Sequence, residues 1–259
     1  MACCGCKKEA TLFELRKGVK KCAECICDQV GRSTMDLLKK GMKLISYPVH
    51  ILVCVSGGPS SAFVWDLLSK RINTTLKGKS AVIKKLCAIS SYDLDIPNLI
   101  HIPHFSLTEV VQYAIQNDFN CIVLGDNADH ISLATLGAIS CGRPDVIHWI
   151  STDDTTNYLP VSILRPARQC LESEIKFYCT QNNIKVDCSH SAFQNAFSFE
   201  ANMLVAVGND GHGGTPFAIQ KMGERLPTIK YDFKCTNCGL PSPDEGICSI
   251  CSSIGKFSQ

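Results

Sequence analysis

Nowhere in its 259 residues does the sequence hold eighteen apolar residues in a row, and its opening, MACCGCKKEA, has no apolar core of the kind an export signal carries. The first absence leaves no helix long enough to span a bilayer. The second argues against secretion, so a soluble cytoplasmic protein is the expectation. Charge is scarce as well: Asp, Glu, Lys and Arg make up 19% of the chain against 45% hydrophobic residues, and the net charge is only +2. That balance excludes global disorder and provides for a core. The length suits one mid-sized α/β domain with small appendages.

Cysteine is the opposite case, with seventeen in the chain. Cytosolic thiols stay reduced, so disulfides do not account for them. Eight fall in four C-x2-C pairs, two at each end. Cys3-x2-Cys6 and Cys22-x2-Cys25 are fifteen residues apart, and Cys235-x2-Cys238 and Cys248-x2-Cys251 are nine apart. Paired knuckles at these spacings suit tetrahedral zinc, one ion at each end. Cys4 and Cys27 leave open which thiols share the first ion. Four thiolates leave zinc no free position for chemistry, so both sites point to folding or docking.

The small net charge is unevenly spread. Residues 1–45 hold ten Lys/Arg against five Asp/Glu, residues 46–229 come to −3, and the last thirty are neutral. Even with a four-thiolate zinc site counted, the N-terminal segment stays cationic, a feature that suits either a polyanionic partner or a solvated surface.

Three segments follow: a zinc module and helix over 1–45, an α/β domain over 46–230 and a zinc ribbon over 231–259. In the first, Ser33 is placed to cap a helix with Met35, Leu37, Leu38 and Met42 inward, and Gly41 weakens its end. HILVCV, residues 50–55, is apolar at successive positions, as in a strand covered on both faces. Residues 81–89, 99–102 and 121–125 are further strands, and 158–164 are extended. Ser106 to Glu109 spells a capping box for a helix whose inward face is Leu107, Val110, Val111, Ala114 and Ile115. Residues 126–139 and 171–179 are also helical, the latter with Glu172 and Lys176 as an i, i+4 pair. Strands alternating with helices give a doubly wound parallel sheet.

Between the first strand and its helix lies VCVSGGPSSAFVW, residues 53–65. No Gly-Lys-Ser/Thr closes this loop, so it is not a Walker site. A strand, a glycine turn and a helix start nevertheless direct backbone N–H groups at an anion. Ser56, Gly57, Gly58, Ser60 and Ser61 are the candidate cradle. Pro59 removes one N–H from it while suiting the first helical position. Asp126, at the end of a later strand, is placed either to meet a nucleotide or to cap the next helix. For His130 and His148 a capping or satisfied surface role is read ahead of a catalytic one.

VSGGPSS resembles the pyrophosphate loop of ATP-dependent tRNA-modifying enzymes, whose usual form is Ser-Gly-Gly-Lys-Asp-Ser. Its Pro-Ser-Ser variant resembles the cytoplasmic tRNA 2-thiolation protein 2 family, the partner subunit of the wobble-uridine thiolase. The paired N-terminal cysteines, LGDNADHISLA (124–134), LRPARQCLESEIKFYC (164–179) and the closing cysteine pairs are similar to further elements of that family. The resemblance implies a PP-loop α/β fold with zinc at both cysteine sites. It also implies a heterodimer with a catalytic subunit, tRNAs for Lys, Glu and Gln as substrates thiolated at U34, and a ubiquitin-like carrier that brings the sulfur. Lys17, Lys20 and Lys21 are then candidate tRNA contacts, and ATP is a possible ligand of the altered cradle.

Three departures from the catalytic relatives point to a non-catalytic subunit. The loop lysine and acid are replaced by Pro59 and Ser60. Residues 81–120 contain a single cysteine, Cys87, too few for an iron–sulfur cluster or a persulfide relay. His130 stands where the family has an acid. Two other readings stay open: an active thiolase that uses Cys188, and a zinc-ribbon scaffold unrelated to thiolation.

Overall fold

The computed structural model describes residues 2–9, 13–14, 20–45, 48–72, 83–103, 105–186, 196–210 and 212–255. Its centre is a five-stranded parallel sheet in the order β5–β4–β3–β6–β7. The strands are β3 (Val49–Cys54), β4 (Ile83–Ser90), β5 (Ile100–His101), β6 (Cys121–Val123) and β7 (Ser162–Leu164). The chain runs outward from β3 through β4 to β5, then returns to the other side of β3 for β6 and β7. The order reverses between β3 and β6, and there the loops after two neighbouring strands part to leave a crevice.

The continuous apolar run of β3 has the expected cause. Val49, Ile51 and Val53 face a core formed with α1 (Ala23–Met42), α2 (Pro59–Ser69) and α6 (Glu172–Gln181). Leu52 and Cys54 face the opposite core, under α3 (Leu107–Gln116). A third apolar cluster joins α4 (Ala128–Ser140) and α5 (Ile147–Ser151) to the C-terminal cysteines. No described helix is long and apolar enough to cross a membrane.

Several local expectations change. α1 starts at Ala23 with Cys22 at its N-cap position, ten residues before Ser33. Its buried stripe, Ile26, Val30, Thr34, Leu38 and Met42, begins beside the second cysteine pair, so the cysteine module and core helix are one continuous element. Gly41 does not loosen that helix. A β-carbon there would lie 2.7 Å from Leu164 Cδ2, so the glycine lets α1 sit against β7. Ser106 occupies the N-cap of α3 but forms no capping box; its hydroxyl donates to the Asn237 carbonyl at 3.0 Å. Ile115, expected inward on that helix, is 47% exposed. The extended stretch before β7 is a turn with a cis Leu159–Pro160 bond, and only Ser162–Leu164 pair as strand. Glu172 and Lys176 do pair, at 2.8 Å.

The longest helices without a counterpart in the sequence pattern are α7 (Ser198–Asn209) and α8 (Thr215–Arg225). The apolar residues of α7 do not gather on one face, and Phe199 and Val205 stand exposed. Small elements flank the main sheet: a hairpin of β1 (Phe13–Glu14) and β2 (Lys20–Lys21), and at the C-terminus β8 (Phe233–Lys234), β9 (Pro241–Ser242) and α9 (Ser249–Gly255).

The register of α1 gives a direct test. Leu38 is 1% exposed whereas Leu37 is half-buried. Leu38→Ala is expected to cost about 2–5 kcal/mol, and Leu37→Ala under about 1 kcal/mol, both by urea denaturation. Equal costs would mean the helix is turned from this position.

Candidate functional site

The glycine loop lies at the carboxyl end of β3, beside the sheet's switch point. Gly57 takes φ +82°, a left-handed conformation that glycine adopts freely. Gly58 then serves as N-cap and Pro59 opens α2 at its first position, as its missing N–H favours. The loop is tied to the helix by its own serines. The Ser56 amide donates to Ser61 Oγ at 3.1 Å, and Ser61 Oγ donates to the Gly58 carbonyl at 3.1 Å. Ser60 and Ser61 are both buried. The side-chain amide of Asn127 donates to Ser60 Oγ at 2.8 Å. Thus the structure brings Ser56, Gly57, Gly58, Ser60 and Ser61 together, but directs the last two hydroxyls inward to brace the loop.

The facing wall is the loop after β6. A β-carbon on Gly125 would lie 2.7 Å from the Ser61 nitrogen and 2.8 Å from its Cα, so only glycine permits this approach. Of the two roles open to Asp126, capping is taken by its neighbour: Asn127 is the N-cap of α4 and its side chain accepts the His130 amide at 2.8 Å. Asp126 instead accepts from Arg165 Nε at 3.0 Å. Arg165 also donates from Nη1 to the Thr152 carbonyl, and its amide donates to Asp153. Asp153 in turn accepts from Arg168 Nη1 at 2.7 Å. Two buried arginines and two carboxylates thereby join the loops that follow α5, β6 and β7.

Asn127, Asp153, Arg165 and Arg168 were not among the residues singled out from sequence. Two arginines three apart, just after an apolar strand and around a proline, were the available signal. Beside them, burial pushes the Asp129 carboxyl up, although the Glu172 amide donates to it at 2.7 Å. His130 sits in the first turn of α4. His148 lies on α5, edge-on to Trp149.

Each end of the chain gathers four thiols. Cys3, Cys6, Cys22 and Cys25 form one group, and Cys235, Cys238, Cys248 and Cys251 the other, the sulfurs of each all within 4.8 Å of one another. Cys4 is exposed outside the first group, and Cys27 packs against the core. Backbone amides point at the sulfurs, Cys22 N–H to Cys3 Sγ and Cys248 N–H to Cys235 Sγ, each at 3.3 Å. The first of these bonds holds the Cys3 thiol down at about 6, while the neighbouring Cys6 thiol pushes Cys25 up to about 12. In the second group Cys235 is held down at about 5 by the thiol of Cys238, which is itself pushed up. Four thiolates this close cannot all ionise without a cation among them. Both donor sets therefore fit a metal ion.

Of the lysines considered for RNA, Lys20 and Lys21 form β2, are half-buried, and the Lys21 ammonium donates to Gln29. Lys17 and Cys188 lie outside the described residues.

Because the neighbours of Gly125 are backbone atoms, they cannot swing aside. Gly125→Ala is expected to destabilise the fold by about 1–3 kcal/mol in urea denaturation. An unchanged midpoint would show that the two loops are not held in contact.

No family profile matches the chain. Among characterised proteins it is 23% identical to the tRNA-5-methyluridine(54) 2-sulfurtransferase of Thermotoga maritima, over 97% of this chain and 95% of that protein. It is 21% identical to a Methanocaldococcus jannaschii protein named "Probable sulfurtransferase", over 99% of this chain and 88% of the relative. Among solved structures it superposes on the U34-tRNA thiolase NcsA from Methanococcus maripaludis, determined with its 4Fe-4S cluster. That match has a TM-score of 0.68 and 16% identity, and covers 99% of this chain and 96% of the thiolase. The chain has the α/β fold of that thiolase, and the relatives it matches at low identity are named as sulfurtransferases, one of them acting on tRNA.

Proposed function

We propose that this chain is an accessory, non-catalytic subunit of a complex that 2-thiolates the wobble uridine, U34, of cytosolic tRNAs for Lys, Glu and Gln. In this reading it binds tRNA and assembles with a catalytic subunit, which performs adenylation and inserts sulfur delivered by a ubiquitin-like carrier. The observation that carries the reading is the state of the glycine loop. Transfer from ATP demands cationic groups at the phosphates as charge shifts in the transition state. Here Pro59 replaces the lysine and withholds an N–H. Ser60 replaces the acid and is occupied by Asn127. Asp126 and Arg165 neutralise one another at the mouth. What is left can cradle an anion but supplies no group to drive adenylation.

Zinc is the metal this reading assigns to both cysteine groups. Tetrahedral Zn–S bonds of about 2.3 Å place sulfurs about 3.8 Å apart. Cys6 and Cys22 are 3.5 Å apart, and Cys238 and Cys248 3.8 Å. A cubane cluster, with each thiolate on a different iron, holds its sulfurs farther apart. Elemental analysis of the purified protein is expected to give two zinc ions per chain and no iron. Iron with visible charge-transfer absorbance would overturn the assignment.

The functional test is mass spectrometry of tRNA from cells depleted of the protein, with 2-thiouridine at positions 34 and 54 quantified separately. Thiolation at 34 is expected to fall and to return on resupply with Cys188→Ala. Failure of a folded Cys188→Ala variant would make the chain a sulfur-bearing enzyme. Loss at 54 alone would move the target, and loss at neither would leave a scaffold unconnected with thiolation.

The cationic N-terminal module is assigned to tRNA phosphates, which position RNA without reading its sequence. Charge reversal at Lys17, Lys20 and Lys21 together should weaken tRNA binding and flatten its dependence on salt. Unchanged affinity and slope would remove the module from the RNA interface.

A further inference from the structure

The two cysteine groups are built into the molecule in different ways. Among the described residues, the hydrogen bonds of residues 2–9 stay within the cysteine module and the first turn of α1. Cys3 N–H reaches the Lys8 carbonyl, Cys4 N–H the Lys20 carbonyl, and the Lys8 ammonium Glu24. The N-terminal group is thus a tip at the start of α1, with Cys6 exposed and Cys25 half-buried. In the C-terminal group Cys235, Cys248 and Cys251 are buried, in one apolar cluster with Leu133, Ile147 and Trp149.

The backbone between the C-terminal knuckles also serves the rest of the molecule. The Asn237 carbonyl accepts from the hydroxyls of Ser106 and Thr108, which open α3. The carbonyl of Cys238, itself a member of the thiol group, accepts from the buried Tyr158 hydroxyl at 2.6 Å. Gly239 accepts from Asn157 at 3.1 Å, and Pro241 from Arg143. Gly239 has φ +67°, and a β-carbon there would collide with the Tyr158 ring, 2.4 Å from its hydroxyl oxygen. Four carbonyls within five residues thereby hold three separate segments of the α/β unit: the start of α3, the loop after α4 and the turn before β7. The position of those carbonyls depends on the knuckle, and a knuckle is ordered by its metal.

We propose that the C-terminal cysteine group is a metal-dependent clasp on the α/β unit, whereas the N-terminal group is a detachable tip whose metal can leave without disturbing the sheet. This rests on the reading that each group holds a metal ion. The order of release follows from access: Cys6 is exposed and Cys25 half-buried in the N-terminal group, whereas three of the four C-terminal thiols are buried, so the N-terminal ion leaves first.

The test uses the full-length, metal-loaded protein carrying Trp65→Phe, which leaves Trp149 as the only tryptophan. A chelator is added stepwise, with metal content, Trp149 emission and hydrogen exchange by mass spectrometry followed together. The first ion is expected to leave with Trp149 emission unchanged. Release of the second should bring a red shift and a rise of about tenfold or more in exchange around residues 106–110 and 156–158. Cys6→Ser/Cys25→Ser should lack the first release and retain the second unaltered. Tyr158→Phe should speed the second release several-fold and leave the first as it was. If the second ion leaves with Trp149 and both segments still protected, or if the first release already exposes them, the clasp is wrong although the metal reading stands. Fewer than two ions at the outset would sink the metal reading itself, and the clasp with it.

Discussion

The fold turns on how closely two strand ends approach one another. Gly125, at the end of β6, lies against the backbone of Ser61 with no room for a β-carbon, and Asn127 reaches across to Ser60. A parallel sheet that reverses its strand order normally leaves a crevice at this point, and ligands use it. Here the contacts that shape the crevice also consume its polar groups. The serine hydroxyls hold the loop, Asn127 holds both Ser60 and the start of α4, and Asp126 is tied to Arg165. Hydrogen bonds between buried groups are costly to leave unmade. A phosphate reaching the loop would meet backbone N–H groups and no lysine.

The same economy explains the arginines. Arg165 and Arg168 follow the last strand of the sheet and are nearly buried, a location where an unpaired charge is strongly unfavourable. Asp126 and Asp153 neutralise them from two other loops. The effect is to fix the geometry of the sheet's carboxyl edge without any bound molecule.

What could be read from the chain followed a physical pattern. HILVCV announced a strand buried on both faces, because both β3 faces do meet cores, and the cysteine spacings announced two four-thiol groups because knuckle geometry is local. The glycine loop was legible for the same reason. Features that depend on distant partners were not. Ser106 spelled a capping box, yet its hydroxyl goes to Asn237, 131 residues away. Asp126 pairs with Arg165 only because β6 and β7 are neighbours, an adjacency that no spacing announces. The start of α1 was misplaced because a cysteine pair suggests a loop, whereas Cys25 already lies in the helix and its stripe begins at Ile26. Gly41 shows the same limit: its apparent helix-weakening becomes a close contact once β7 is opposite it.

These constraints assign different work to the three parts of the chain. The cysteine module at the start continues directly into the core helix α1. The closing module grips the start of α3 and the turn before β7 from the other side. Between them the altered loop is held by its own side chains. A catalytic site in this fold needs freedom at the crevice, for ATP to enter and pyrophosphate to leave. In this chain the crevice is shaped by internal hydrogen bonds, from Ser61 to Gly58 and from Asn127 to Ser60, and those bonds are what the proposal of an accessory role rests on.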